Sequence, residues 1–132
     1  MTTKILDAYA LMAFLQDEPG ADTVRNLILK AEEGSAKLAM SVVNLGEVWY
    51  AIARATSTEK ADRYIQELQG MAIEIVDADW PVTRQAAAYK ANANISYADC
   101  FVAAVAKIRR GEIVTGDKEF KILEDEIRIS WL

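Results

Sequence analysis

The sequence contains no histidine and a single cysteine, Cys100, in 132 residues. Zinc sites built on imidazole and nucleophiles of the Ser-His or Cys-His kind are therefore excluded. One cysteine cannot build an internal disulfide framework, which fits a reducing compartment. Flanked by Phe101 and Val102 at a helix start, Cys100 reads as a small buried residue rather than a ligand. No apolar run reaches bilayer-spanning length, because Lys, Arg, Asp or Glu interrupts every candidate. The first strand-like segment begins directly after Thr2-Thr3 and leaves no room for a signal peptide, so a cytoplasmic protein with no membrane association is expected. Basic residues are the minority: 15 Lys and Arg against 20 Asp and Glu give a net charge of −5. That balance argues against non-specific nucleic-acid binding, which rests on phosphate neutralisation. It says nothing about local sites.

What is present is a 52 % hydrophobic chain long enough to bury a real core. Lys4–Leu6 reads as a short buried strand and Ala8–Gln16 as a helix, broken by Asp17-Glu18-Pro19-Gly20. Ala21–Glu33 resumes with Val24, Leu27, Ile28 and Ala31 at helical spacing, closed by Gly34. Lys37–Met40 is a second strand, followed by a helix over Val43–Ala55. Thr56-Ser57-Thr58-Glu59 carries a capping-box signature for a helix running to Gln69. Ala72–Val76 is a third strand; Asp79 as N-cap and Pro81 in the first turn open a helix to Asn92. Ser96–Arg110 is the last long helix, ended by Gly111. Ile113–Thr115, a short helix over Lys118–Leu123 and a strand over Ile127–Trp131 complete the chain. No linker, repeat or low-complexity tract appears. The expectation is one α/β domain over residues 1–132, with a central, mostly parallel sheet of about five strands and helices on both faces.

Four acids stand out in this frame: Asp7, Glu47, Asp99 and Asp117. Asp7 follows the Lys4-Ile5-Leu6 strand and Asp117 follows Ile113-Val114-Thr115-Gly116. Glu47 and Asp99 lie near the starts of helices. Taken singly, each has a structural explanation. Asp7 caps a helix, Asp117 is a turn residue, and Asn44-Leu45-Gly46-Glu47 and Ser96-Tyr97-Ala98-Asp99 look like capping boxes. Together they occupy the same relative place in four strand–helix units, which brings them to one edge of a parallel sheet, where ligands bind. Carboxylates gathered there repel one another unless a hard cation sits between them, and magnesium suits oxygen donors. Lys118 and Lys121 follow Asp117; Lys107, Arg109 and Arg110 read as charges placed at a helix C-terminus. Trp49, Tyr50 and Tyr64, at helical spacing beside Leu and Ile, read as core or interface.

The segments ILDAYALMAFL, SVVNLGEVWY, ISYADCFVAAVA and IVTGDKEF resemble the PIN domain of VapC-type toxins, the ribonuclease halves of toxin–antitoxin pairs. The likeness covers nearly the whole chain and keeps all four acid motifs in order. It implies a metal-dependent endoribonuclease, with Asp7, Asp99 and Asp117 binding magnesium or manganese and Glu47 completing the pocket. Thr115 and Ser96 match positions that often carry a hydroxyl near the metal. The resemblance further implies an RNA substrate, a homodimer and a cognate antitoxin protein. One departure is visible: many relatives have Ser or Thr directly after the first aspartate, whereas Ala8 and Tyr9 follow Asp7 here. The competing readings are a PIN nuclease acting in RNA maturation or on DNA, a non-catalytic PIN-like interaction module, and a receiver-type phosphoacceptor domain using Asp77. The last wants two acids after the first strand and leaves Glu47 and Asp99 without a role.

Overall fold

A computed structural model describes residues 1–132. Its centre is a five-stranded sheet in the order β3-β2-β1-β4-β5, built from β1 (Thr3–Leu6), β2 (Lys37–Ser41), β3 (Ile73–Val76), β4 (Glu112–Thr115) and β5 (Ile129–Trp131). Every pairing is parallel. A parallel sheet must be covered on both faces, and the central strand shows why. Ile5 and Leu6 are both fully buried but belong to opposite cores. Burying one such side chain contributes about 1.5–3 kcal/mol.

The helices are α1 (Ala8–Leu15), α2 (Ala21–Glu32), α3 (Val42–Ala55), α4 (Thr58–Gln69), α5 (Trp80–Asn92) and α6 (Tyr97–Arg109). α1 to α4 supply the core that includes Leu6, Met40 and Val114, while α5 and α6 cover Ile5, Ala39 and Ile113. In α6 every residue from Asp99 to Ala106 is buried, as a helix apolar on all sides requires. A 3-10 helix over Lys118–Leu123 links β4 to β5 and plants Phe120 in the core. No helix is long and apolar enough to cross a membrane.

Several local expectations shift. α3 begins at Val42, with Ser41 as its N-cap accepting from the Val43 N–H at 3.1 Å, so Asn44 is buried inside the first turn and is not a cap. The cap of α4 is Ser57, which accepts from the Lys60 N–H at 3.2 Å; Thr56 instead donates back to the Ile52 carbonyl at 2.7 Å and closes α3. The left-handed residue that ends α6 is Arg110, at φ 51°, and not Gly111. Gly111 serves packing, since a Cβ there would come within 2.5 Å of the Thr3 carbonyl oxygen on β1. The last strand is shorter than Ile127–Trp131, because Ile127 turns into the core.

Candidate metal centre

Strand order reverses between β1 and β4, since β2 and β3 lie to one side of β1 and β4 and β5 to the other. Such a reversal leaves a crevice at the carboxyl ends of the two strands. Asp7 directly follows β1, and Thr115 closes β4 two residues before Asp117.

Asp7 is 2 % exposed. Its Oδ1 accepts from the Ala10 N–H at 2.8 Å and so caps α1, while its Oδ2 accepts a hydrogen bond from the Thr115 hydroxyl. Thr115 Oγ1 in turn accepts from the Asp117 N–H at 2.9 Å. Asp117 caps the 3-10 helix by accepting from the Glu119 N–H at 3.0 Å. Asp7 and Asp117 are therefore caps and neighbours in one network, and the two explanations of these acids are compatible. The hydroxyl that supports Asp7 thus comes from Thr115 on the adjacent strand.

Asp99 lies in the first turn of α6, where the Ser96 Oγ accepts from its N–H at 3.2 Å. Its carboxylate, that of Asp117 and that of Glu119 each offer an oxygen within 4.8 Å of the others. Glu119 was not singled out in the sequence; the signal was a second acid two residues beyond Asp117, where the 3-10 turn carries it back toward Asp99. Glu47 stands outside this tight group but is held toward it. The Asn44 amide donates to Glu47 Oε1 at 2.8 Å and to the Ala98 carbonyl at 3.0 Å, tying α3 to the start of α6.

The electrostatics register the crowding. Burial first, offset by the hydrogen bonds from Thr115 and Ala10 and reinforced by the charges of Asp117 and Glu47, pushes the Asp7 carboxyl up to about 7. Burial first, then the adjacent Glu119 carboxyl and the charges of Asp117 and Asp7, offset in part by Ser96, pushes Asp99 up to about 8. None of the ion pairs of the fold includes one of these acids. Lys4 pairs with Glu112, Arg25 with Asp17 and Asp22, Lys107 with Glu126, and Arg109 with Glu74. Arg109 and Lys107 sit late in α6, far from Asp99 at its start, so the basic end of that helix does not face the acids. Cys100 is fully buried, with its thiol raised by burial, and is no ligand. An all-oxygen donor set without histidine or cysteine, and without an ion pair of its own, fits a hard divalent ion.

Of the aromatic residues singled out in α3 and α4, Trp49 and Tyr64 pack against the core. The Trp49 indole donates to Asp62 at 2.9 Å across the two helices, and Tyr64 is half-buried in the same core. Tyr50 is exposed, with the Arg54 guanidinium 5.0 Å from its ring centre.

Residues 4–126 match the PIN domain family model, and the chain belongs to that family. This displaces the receiver-type reading. Among curated proteins no sequence matches significantly. Solved structures share the fold at low identity. The VapBC2 complex of Rickettsia felis bound to a promoter DNA fragment matches with a TM-score of 0.76 at 19 % identity, covering 98 % of both chains. DNA-bound VapBC of Salmonella typhimurium also gives 0.76, at 18 % identity and 98 % coverage of both. VapC20 of Mycobacterium tuberculosis, a Sarcin-Ricin loop cleaving toxin, matches at 0.70 and 16 % identity over 90 % of this chain and 93 % of its own.

Proposed function

We propose that this protein is a VapC-type toxin: a divalent-metal-dependent endoribonuclease that hydrolyses RNA phosphodiester bonds and is silenced by a cognate antitoxin. The observation that carries the reading is the group of Asp99, Asp117 and Glu119 oxygens beside buried Asp7, none of them in an ion pair. PIN family membership and the likeness to VapBC complexes support it.

Asp99, Asp117 and Glu119 would hold magnesium or manganese, with Asp7 and Glu47 completing the acidic wall. When bound, such an ion neutralises the clustered charge, activates water and stabilises charge on a phosphoryl oxygen. The chain's own groups do the rest. Thr115 fixes the orientation of Asp7 and positions the Asp117 backbone. Ser96 fixes the first turn of α6 and with it Asp99. Asn44 aims Glu47 and leaves its second carboxylate oxygen free to accept a proton or a substrate hydroxyl.

A homodimer in the cytoplasm, with an antitoxin segment laid over the acids, completes the reading. Guanidinium pairs bidentately with carboxylate, so an antitoxin Arg is expected near Asp7 and Asp117. Co-expression with the gene product encoded beside it, followed by pull-down, tests the partner. End-labelled single-stranded RNA and DNA, each incubated with magnesium or with EDTA, test the reaction and separate RNA from DNA cleavage.

A further inference from the structure

Tyr9 follows Asp7 by two residues, in the first turn of α1, and the chemistry above does not use it. A Cβ built on Gly116 would lie 2.3 Å from Cε1, 2.5 Å from Cζ and 2.9 Å from Oη of this tyrosine. Those three distances fit a point over the face of the ring, not one in its plane. The ring therefore rests on the Gly116 backbone, and only glycine permits that approach. Gly116 lies between Thr115, which holds Asp7, and Asp117. Tyr9 is nevertheless 48 % exposed, as expected of a ring with one face covered and the other open. A side chain that served only the core would be buried; this one is a flat ring held against the segment that joins Thr115 to Asp117.

We propose that Tyr9 is the platform on which one base of a single-stranded RNA stacks, beside the phosphate brought to the acids. The inference rests on the nuclease reading and adds a substrate contact to it. Single-stranded bases are splayed out and stacked on aromatic faces by proteins that bind them, with little dependence on base identity. A ring already seated on Gly116 loses little freedom when a base covers it.

The test compares the parent with Tyr9→Phe, Tyr9→Leu and Tyr9→Ala in two measurements. The first is binding of a labelled single-stranded RNA in calcium, and the second is cleavage kinetics in manganese. Thermal melts with and without manganese report folding and the metal site for each variant. Phe keeps the ring, and Leu keeps apolar bulk without it. The expected result is RNA binding roughly ten-fold weaker for both Leu and Ala, with Phe near the parent. KM should rise by a similar factor while kcat falls less, and the manganese shift should persist. A Leu variant that binds RNA as the parent does would overturn the platform, because the ring would then be packing alone. Parent protein that binds RNA with this dependence on Tyr9 but does not cut it would overturn the nuclease reading and leave the platform standing. Failure of the parent to bind RNA overturns both.

Discussion

The Thr115 hydroxyl joins Asp7 to Asp117: it donates to the Asp7 carboxylate and accepts from the Asp117 N–H at 2.9 Å. β1 and β4 are neighbours in parallel register, with Leu6 beside Val114, so the next residues along, Asp7 and Thr115, meet at the open end of the sheet. One short side chain thereby sets the spacing of two acids that lie far apart in sequence.

Thr115→Val keeps the shape and removes both hydrogen bonds. At pH 8.5 in EDTA this is expected to cost about 1–3 kcal/mol, the usual penalty for leaving a buried polar group unpaired. Manganese affinity should fall as well, while Thr115→Ser should restore most of both. Denaturant unfolding and manganese titration of the three proteins check this.

Stability of the metal-free protein should decline with rising pH. An unfolded aspartate titrates at about pH 4, whereas in the fold burial and crowding push Asp7 up to about 7 and Asp99 up to about 8. Between these values the folded chain binds protons that the unfolded chain has released. Linkage then makes stability fall as pH rises through that window, at up to roughly 1.4 kcal/mol per pH unit for each of the two groups. Asp99→Asn should flatten the slope. Denaturant midpoints in EDTA from pH 4.5 to 8.5 decide the sign; a rise with pH would contradict it.

Asp117→Asn removes a charge while keeping a side chain that still caps the 3-10 helix. In EDTA at pH 8.5, where Asp7 and Asp99 are mostly ionised, the variant should be as stable as the parent or more so, because like charges about 4 Å apart repel by roughly 4 kcal/mol at an effective dielectric near 20. Magnesium at a hundred times its dissociation constant should stabilise the parent by about 2.7 kcal/mol and the variant much less. Thermal melts read both effects. A variant that melts well below the parent in EDTA, with magnesium moving neither, would reduce these acids to caps.

Glu119 is the acid that sequence pattern did not supply. Glu119→Gln is expected to weaken manganese binding, though less than Asp99→Asn does, since Glu119 is exposed and Asp99 is buried. Calorimetric titration ranks the two.

Much of the sheet and its edge was legible because period and punctuation agree: apolar strands, Asp79 with Pro81, and Ser96 before an apolar helix all fall where expected. The failures are local. Asn44-x-x-Glu47 has the spacing of a capping box, yet Ser41 starts α3 three residues earlier and turns Asn44 inward to the Ala98 carbonyl. That contact spans 54 residues, and no local pattern encodes it. Glu119 was missed for a related reason. Only the tight 3-10 turn after Asp117, set by Phe120 entering the core, brings it within reach of Asp99. The support of Asp7 by Thr115 was legible as a hydroxyl near the site but not as this bond, because strand order has to be known first.

The proposed role of these acids is to cut RNA through a bound divalent ion. Its most direct measurement is cleavage of an end-labelled single-stranded RNA by the purified protein, with manganese or magnesium and with EDTA, beside Asp99→Asn. Cuts by the parent are expected only when metal is present, with a loss of at least a hundred-fold (on the order of 2.7 kcal/mol of transition-state stabilisation) in the variant. Cleavage that survives EDTA, or an Asp99→Asn protein that cuts as fast as the parent, would contradict it.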